Sequence, residues 1–208
     1  MKACQPLPAS IALVLALSLS SPSAAQRMAA SSAIDQIRHE LLQLPYYGVF
    51  DFLAFSYDSG TVTLMGYAST PTLPIDAERA VERASGVACV TDKIEVLPMS
   101  LDDNELRWAA YYVIYRDPLL ARYAPGSGQL WGHRHTFPSG QLIPLGPIRF
   151  LGTEPAGDYP IHIIVRNARV TLLGVVDSEL DKARAGELAV GVPRVRGVEN
   201  ELSVDTLR

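Results

Sequence analysis

The side chains in this sequence best suited to chemistry are three histidines. His133 and His135 form an H-x-H pair, His162 follows, and Asp158 lies near it in sequence. Three imidazoles can hold zinc in a site that leaves a fourth position open for water, which is the arrangement for metal-assisted hydrolysis. Nothing in their spacing brings the pair and His162 together, so no metal site is assigned. Nucleophilic chemistry has less support. Ser127 and Ser139 occupy the same stretch, but neither stands in G-x-S-x-G. Gly126-Ser127-Gly128 is too short for a phosphate loop and has no clear helix after it. No paired carboxylates stand in an apolar context. The expectation is a protein that is not an enzyme, with no catalytic residue and no cofactor.

Binding is better represented. Trp108, Tyr111, Tyr112 and Tyr115 fall at i, i+3, i+4 and i+7, one stripe of a helix. Leu106, Ala109, Val113 and, more weakly, Ala110 form another. A helix apolar on two sides is buried on two sides or offers one to a partner. Either the rest of the chain covers the aromatic stripe, or it meets lipid headgroups or a protein, since Tyr and Trp suit half-wet interfaces. Tyr46, Tyr47 and Phe50 could extend it, and Trp131 is a further candidate.

These residues sit within a repeat. Val62-Thr63-Leu64-Met65-Gly66 recurs as Val170-Thr171-Leu172-Leu173-Gly174, a shift of 108 positions, and Val87, Val90, Ile94 and Val96 recur as Val195, Val198, Leu202 and Val204 at the same shift. Two blocks at one offset predict two copies of one small fold. In each copy the pattern reads helix, strand, strand, helix, strand. In the first, a helix starts at Ser32 with Asp35 and presents Ile34, Ile37, Leu41 and Leu44. A hairpin over 49–68 turns at Asp58-Ser59-Gly60, a small-faced helix spans 73–85, and a strand spans 90–97. In the second, Asp102 with Glu105 caps a helix ending near Arg116. Strands over 161–165 and 169–176 flank Asn167-Ala168, Ser178 with Asp181 caps the next helix, and a strand over 198–204 closes the unit. The second copy carries about 35 additional residues between its first helix and its hairpin, within about 120–160, in a proline- and glycine-rich stretch that also holds Tyr123, Trp131, Phe137 and Phe150. Gly66 and Gly174 stand mid-strand, where glycine costs stability and normally means close approach of another backbone. Either a helix packs tightly on the sheet there or a ligand does.

Residues 1–25 read as a signal peptide, with Lys2, a short apolar core and Ser23-Ala24-Ala25 before Gln26. No later stretch is long and apolar enough to predict a transmembrane span in the mature chain. Cys4 lies in the leader, so its removal would leave Cys89 without an intrachain partner, expected as a buried thiol. With 18 basic and 22 acidic residues, a net charge of −4 and no basic cluster, nucleic acid is not an expected partner.

A unit with V-T-L-x-G in its second strand and G-V-x-x-V-x-(D/N)-x-(I/L)-x-V at its end resembles the BON (bacterial OsmY and nodulation) domain. The first copy carries this through Gly60 to Gly66 and through Gly86, Val87, Val90, Asp92, Ile94 and Val96. The second carries it through Val170 to Gly174 and through Val195, Val198, Asn200, Leu202 and Val204, with Arg194 in place of the glycine. The resemblance implies an α+β fold of two tandem α-β-β-α-β sandwiches, each with two helices on one face of a three-stranded mixed sheet. The units are expected over 31–98 and 102–208. Gly66 and Gly174 are the family-motif glycines. The resemblance further implies a non-enzymatic exported protein of the periplasm or secreted, peripheral to a membrane, that binds phospholipid or another surface and supports envelope integrity or tolerance of osmotic stress. A periplasmic protein-binding or chaperone-like module is the alternative, and a metal-dependent enzyme using His133, His135 and His162 is a second. On the first reading the binding residues are Trp108, Tyr111, Tyr112, Tyr115 and Trp131.

Overall fold

A computed structural model describes residues 24–124 and 159–205. Helix α1 (Ala24–Leu42) is followed by strands β1 (Phe52–Asp58) and β2 (Thr61–Ala68), helix α2 (Thr72–Glu82) and strand β3 (Cys89–Val96). β1 pairs antiparallel with β2, and β2 pairs parallel with β3 across the α2 crossover, giving a mixed sheet in the order β1-β2-β3. Ile37 and Leu41 of α1 and Ala77 and Val81 of α2 pack on Val62 and Leu64 of the sheet. Alternation along β2 puts Val62, Leu64 and Ala68 on that face. Ser32 lies well inside α1 rather than at its start, so the expected cap there is not a cap.

The second unit repeats the order. Helix α3 (Leu101–Tyr115) leads, through a short 3-10 turn at Ala121–Tyr123, to β4 (Ile161–Arg166), β5 (Arg169–Val176), helix α4 (Glu179–Val190), β6 (Gly197–Asn200) and β7 (Ser203–Val204). β4 and β5 are antiparallel; β6 and β7 both run parallel to β5. The single closing strand expected over 198–204 is thus broken, with Leu202 turned into the core. Asn200 explains the break: its Oδ1 accepts from Leu202 N–H at 3.4 Å while its Nδ2 donates to Lys182 O on α4 at 2.7 Å. Asp92 makes the matching local bond to Ile94 N–H. The (D/N) of the shared motif thus bonds the amide two positions on in both copies, but β3 runs on unbroken through Asp92, and the strand is interrupted only at Asn200.

Both hairpins use two residues in the left-handed region, Ser59 and Gly60 (φ 50° and 88°) and Asn167 and Ala168 (φ 53° and 60°), as a tight turn matched to strand twist requires. Arg194 keeps φ 72° where the first unit has Gly86 at 84°, so the backbone survives the loss of glycine. The cap of α3 is Ser100, which accepts from Asp103 N–H, and not Asp102; that of α4 is Ser178, as expected. Cys89 is half-buried at the start of β3, not fully buried as expected, and in the full chain it is disulfide-bonded. Its partner, like the leader, lies outside the described residues.

The two units share a core. Residues 45–51, between α1 and β1, cross to the second unit, where Val49 O accepts from Ile163 N–H at the outer edge of β4 (2.8 Å). Val49 and Phe50 are fully buried among α3 and β4 side chains. Leu97, Ile164 and Leu173, with Phe52 and Tyr67 against them, close a second contact, rimmed by the Arg166–Glu95 ion pair.

Candidate functional site

The aromatic stripe of α3 lies under this junction. Phe50 meets Trp108 edge-on at 5.2 Å and Tyr111 at 6.2 Å; Tyr115 packs on Tyr159 at 5.6 Å and donates from its hydroxyl to Ile161 O. Trp108, Tyr111 and Tyr115 are buried, which removes them from an exposed binding face. Phe50 arriving from the other unit is the physical reason. Tyr112 is half-buried with Arg116 over its ring, and Trp131 lies outside the described residues. Burial pushes the Tyr111 and Tyr159 phenols above their ordinary range, so both stay neutral.

His162 is committed to the same junction. One ring nitrogen meets Gly48 O at 3.2 Å and the other Tyr47 O–H at 3.3 Å, and Phe52 lies edge-on to the ring. Complete burial lowers its pKa to about 4, outweighing the opposing hydrogen bonds of Gly48 and Asp51. A neutral imidazole with both nitrogens engaged is not a metal ligand, so the His162 leg of the zinc reading fails. His133, His135, Ser127, Ser139, Gly126, Gly128 and Asp158 lie outside the described residues. Among the described residues no group of His, Cys, Asp and Glu is placed to hold a metal.

The motif glycines have a backbone explanation. Gly66 (φ 129°) and Gly174 (φ 122°) lie where a Cβ would come within 1.9 Å of Phe52 O and 2.1 Å of Pro160 O. The close neighbour is the backbone of the adjoining strand, not a helix and not a ligand.

Polar side chains cluster where the 3-10 turn meets α4. The buried Asp181 carboxylate accepts from Ser178 O–H (2.6 Å), Tyr123 O–H (2.9 Å) and Arg122. Arg184 pairs with Asp117 at 2.8 Å. These bonds tie the end of α3 and the start of the 120–160 stretch to α4. Sequence reading saw the Ser178 cap but not the pairing, whose partners are about sixty positions apart.

Two surface features stand out among the described residues. The connection from β3 to α3 buries Leu97 and turns its neighbours outward: Met99 is 96 % exposed and Leu101 87 %, with Val96 beside them. In the first unit a groove of ≈ 330 Å³ runs between α1 and β1, walled by Ile34, Arg38, Leu42, Leu53 and Phe55.

Duplicated α-β-β-α-β units with a shared strand motif define a tandem α+β module. The chain belongs to the BON domain family, whose profile matches residues 29–98 and 151–206. This is a non-catalytic binding-domain family, found in periplasmic or membrane-associated proteins and linked to membrane lipids. No curated protein matches the chain. Two solved structures of CdsD, a structural protein of the type III secretion system of Chlamydia trachomatis, are similar at 13% identity and a TM-score of 0.25. They cover 82% of this chain and 91% and 96% of theirs. At that TM-score nothing is carried over from them. No helix among the described residues is long and apolar enough to cross a membrane.

Proposed function

We propose that this is a non-enzymatic exported protein that docks peripherally on envelope phospholipid and so supports envelope integrity under osmotic stress. The observation that carries this reading is the exposed apolar connection. Single exposed apolar residues are ordinary, but Val96, Met99 and Leu101 stand within six positions of one short segment. Pinning Leu97 in the junction holds that segment to both units, so its tip is presented by a fixed scaffold. With a net charge of −4 and the exposed carboxylate of Asp102 beside the tip, attachment rests on apolar insertion rather than on attraction to anionic headgroups.

Co-sedimentation with zwitterionic and with anionic vesicles tests it. The protein is expected to pellet with both. Met99→Asp combined with Leu101→Asp should weaken binding about tenfold or more, since each side chain contributes of order 1.5 kcal/mol when buried. Failure to pellet with either lipid sinks the reading. A protein-binding role is the second reading, and the groove between α1 and β1 favours it.

A further inference from the structure

We infer that the groove between α1 and β1 is a docking site for a segment of another protein that carries an aliphatic–aromatic–acidic run. The two units are superposable by their repeat. Ala33, Ile37 and Leu41 on α1 are buried as Leu106, Ala110 and Ile114 are on α3, a constant shift of 73 positions. Phe55 faces Leu64 across the first hairpin as Ile163 faces Leu172 across the second. By these shifts Arg38, Leu42, Leu53 and Phe55, all walls of a groove that no described residue fills, correspond to Tyr111, Tyr115, Ile161 and Ile163.

In the second unit that same position is filled, and by peptide. Phe50 lies against Tyr111, and the Val49 carbonyl accepts from the Ile163 amide on the outer edge of β4. The equivalent edge in the first unit is β1, the outermost strand of its sheet. The shared register turns the Phe55 amide to that open side. An edge amide beside an apolar slot suits a main-chain carbonyl with an aromatic side chain next to it, the way strand addition combines backbone bonding with pocket filling. An acyl chain would use the slot but not the amide. Arg38 stands where the second unit has Tyr111. Asp35, which pairs with it at 3.3 Å, stands where the second unit has Trp108, and because the pair is solvent-exposed and of little strength an acid following the aromatic can compete for the guanidinium. Val49-Phe50-Asp51 has this composition within the chain itself. The site is independent of the lipid-facing tip.

The test titrates the full protein with a capped nonapeptide of sequence 44–52 and reads backbone amide spectra and calorimetry, without lipid. Amide shifts at Phe55 and along α1 are expected. A Phe50→Ala peptide should bind at least about tenfold more weakly. Arg38→Trp, at an exposed position that does not threaten the fold, should fill the slot and weaken the parent peptide to the same degree. Vesicle binding of that variant should be unchanged. No shift at β1, or shifts confined to β4, overturns the inference. So do shifts at Phe55 caused by dihexanoylphosphatidylglycerol but not by peptide, which would make the groove an acyl site. Self-association lost in Arg38→Trp, with no peptide binding, would assign the groove to a second copy of the chain and overturn it as well.

Discussion

His162 shows how one buried side chain makes the junction sensitive to acid. Between Tyr47, Gly48 and Phe52 the imidazole is buried, and it stays neutral down to about pH 4. Its contacts on the ring nitrogens come from Tyr47 and Gly48, and the nearby Asp51 carboxylate is taken up by Gly48 N–H, Ser69 N–H and Ser69 O–H. In the unfolded chain the same ring accepts a proton below about 6.5. Between these values the unfolded state binds the extra proton, so stability that is complete above pH 6.5 is lost as pH falls toward 4. The difference is worth about 3 kcal/mol. Urea unfolding at pH 7 and pH 4.5 should show a drop that shrinks by most of that amount in His162→Gln, in which an amide replaces the ring without titrating. An identical drop in both proteins would remove His162 as the cause. Sequence reading placed this histidine in a metal set because H-x-H nearby drew attention to imidazoles. Its actual partners lie more than a hundred positions away, where local spacing carries no information.

At the scale of elements, local signals held where the chemistry is local. Ser178 with Asp181 marks the start of α4, Asn167-Ala168 makes a left-handed turn, and the faces of β2 and α2 follow their periods. Errors arose where two local patterns overlapped or where a remote group decided the outcome. Ser100-x-x-Asp103 and Asp102-x-x-Glu105 both have capping spacing, and the structure uses the first. Asp103 then does more than follow a cap: it is buried, and its carboxylate accepts from Asn167 N–H at 2.9 Å and Ala168 N–H at 2.8 Å, clamping the β4–β5 turn to α3. Ser100→Ala should cost about 1 kcal/mol, the ordinary value of an N-cap. Asp103→Ala leaves two part-buried amides without an acceptor and should cost about 2 kcal/mol or more. Chemical denaturation of the pair checks the order. Equal losses would mean that the clamp contributes nothing beyond the cap.

At the scale of the whole molecule, the repeat predicts two copies of one fold and leaves their placement open, and the packing joins them through a shared core. Residues 49 and 50 read as the start of a strand because aromatic and β-branched residues favour strands. They instead leave their own unit and complete the other, since the groove between α3 and β4 offers Phe50 an aromatic seat on Trp108 and Tyr111. The stripe that looked like a docking face is thereby used inside the chain, while among the described residues none fills the corresponding groove of the first unit. A shared core couples unfolding: if Phe50 leaves, the second unit loses a core side chain and the first loses its anchor. The protein should therefore melt in one cooperative calorimetric transition, with calorimetric and van't Hoff enthalpies equal. Phe50→Ala should cost about 3–5 kcal/mol, the usual range for emptying a large aromatic site. The loss should appear in the second unit although the residue precedes β1. With the plug gone the transition should split in two, the first unit melting close to its original temperature. A single transition in the variant, merely shifted downward, would show that the Leu97, Ile164 and Leu173 contact is enough to join the units without Phe50.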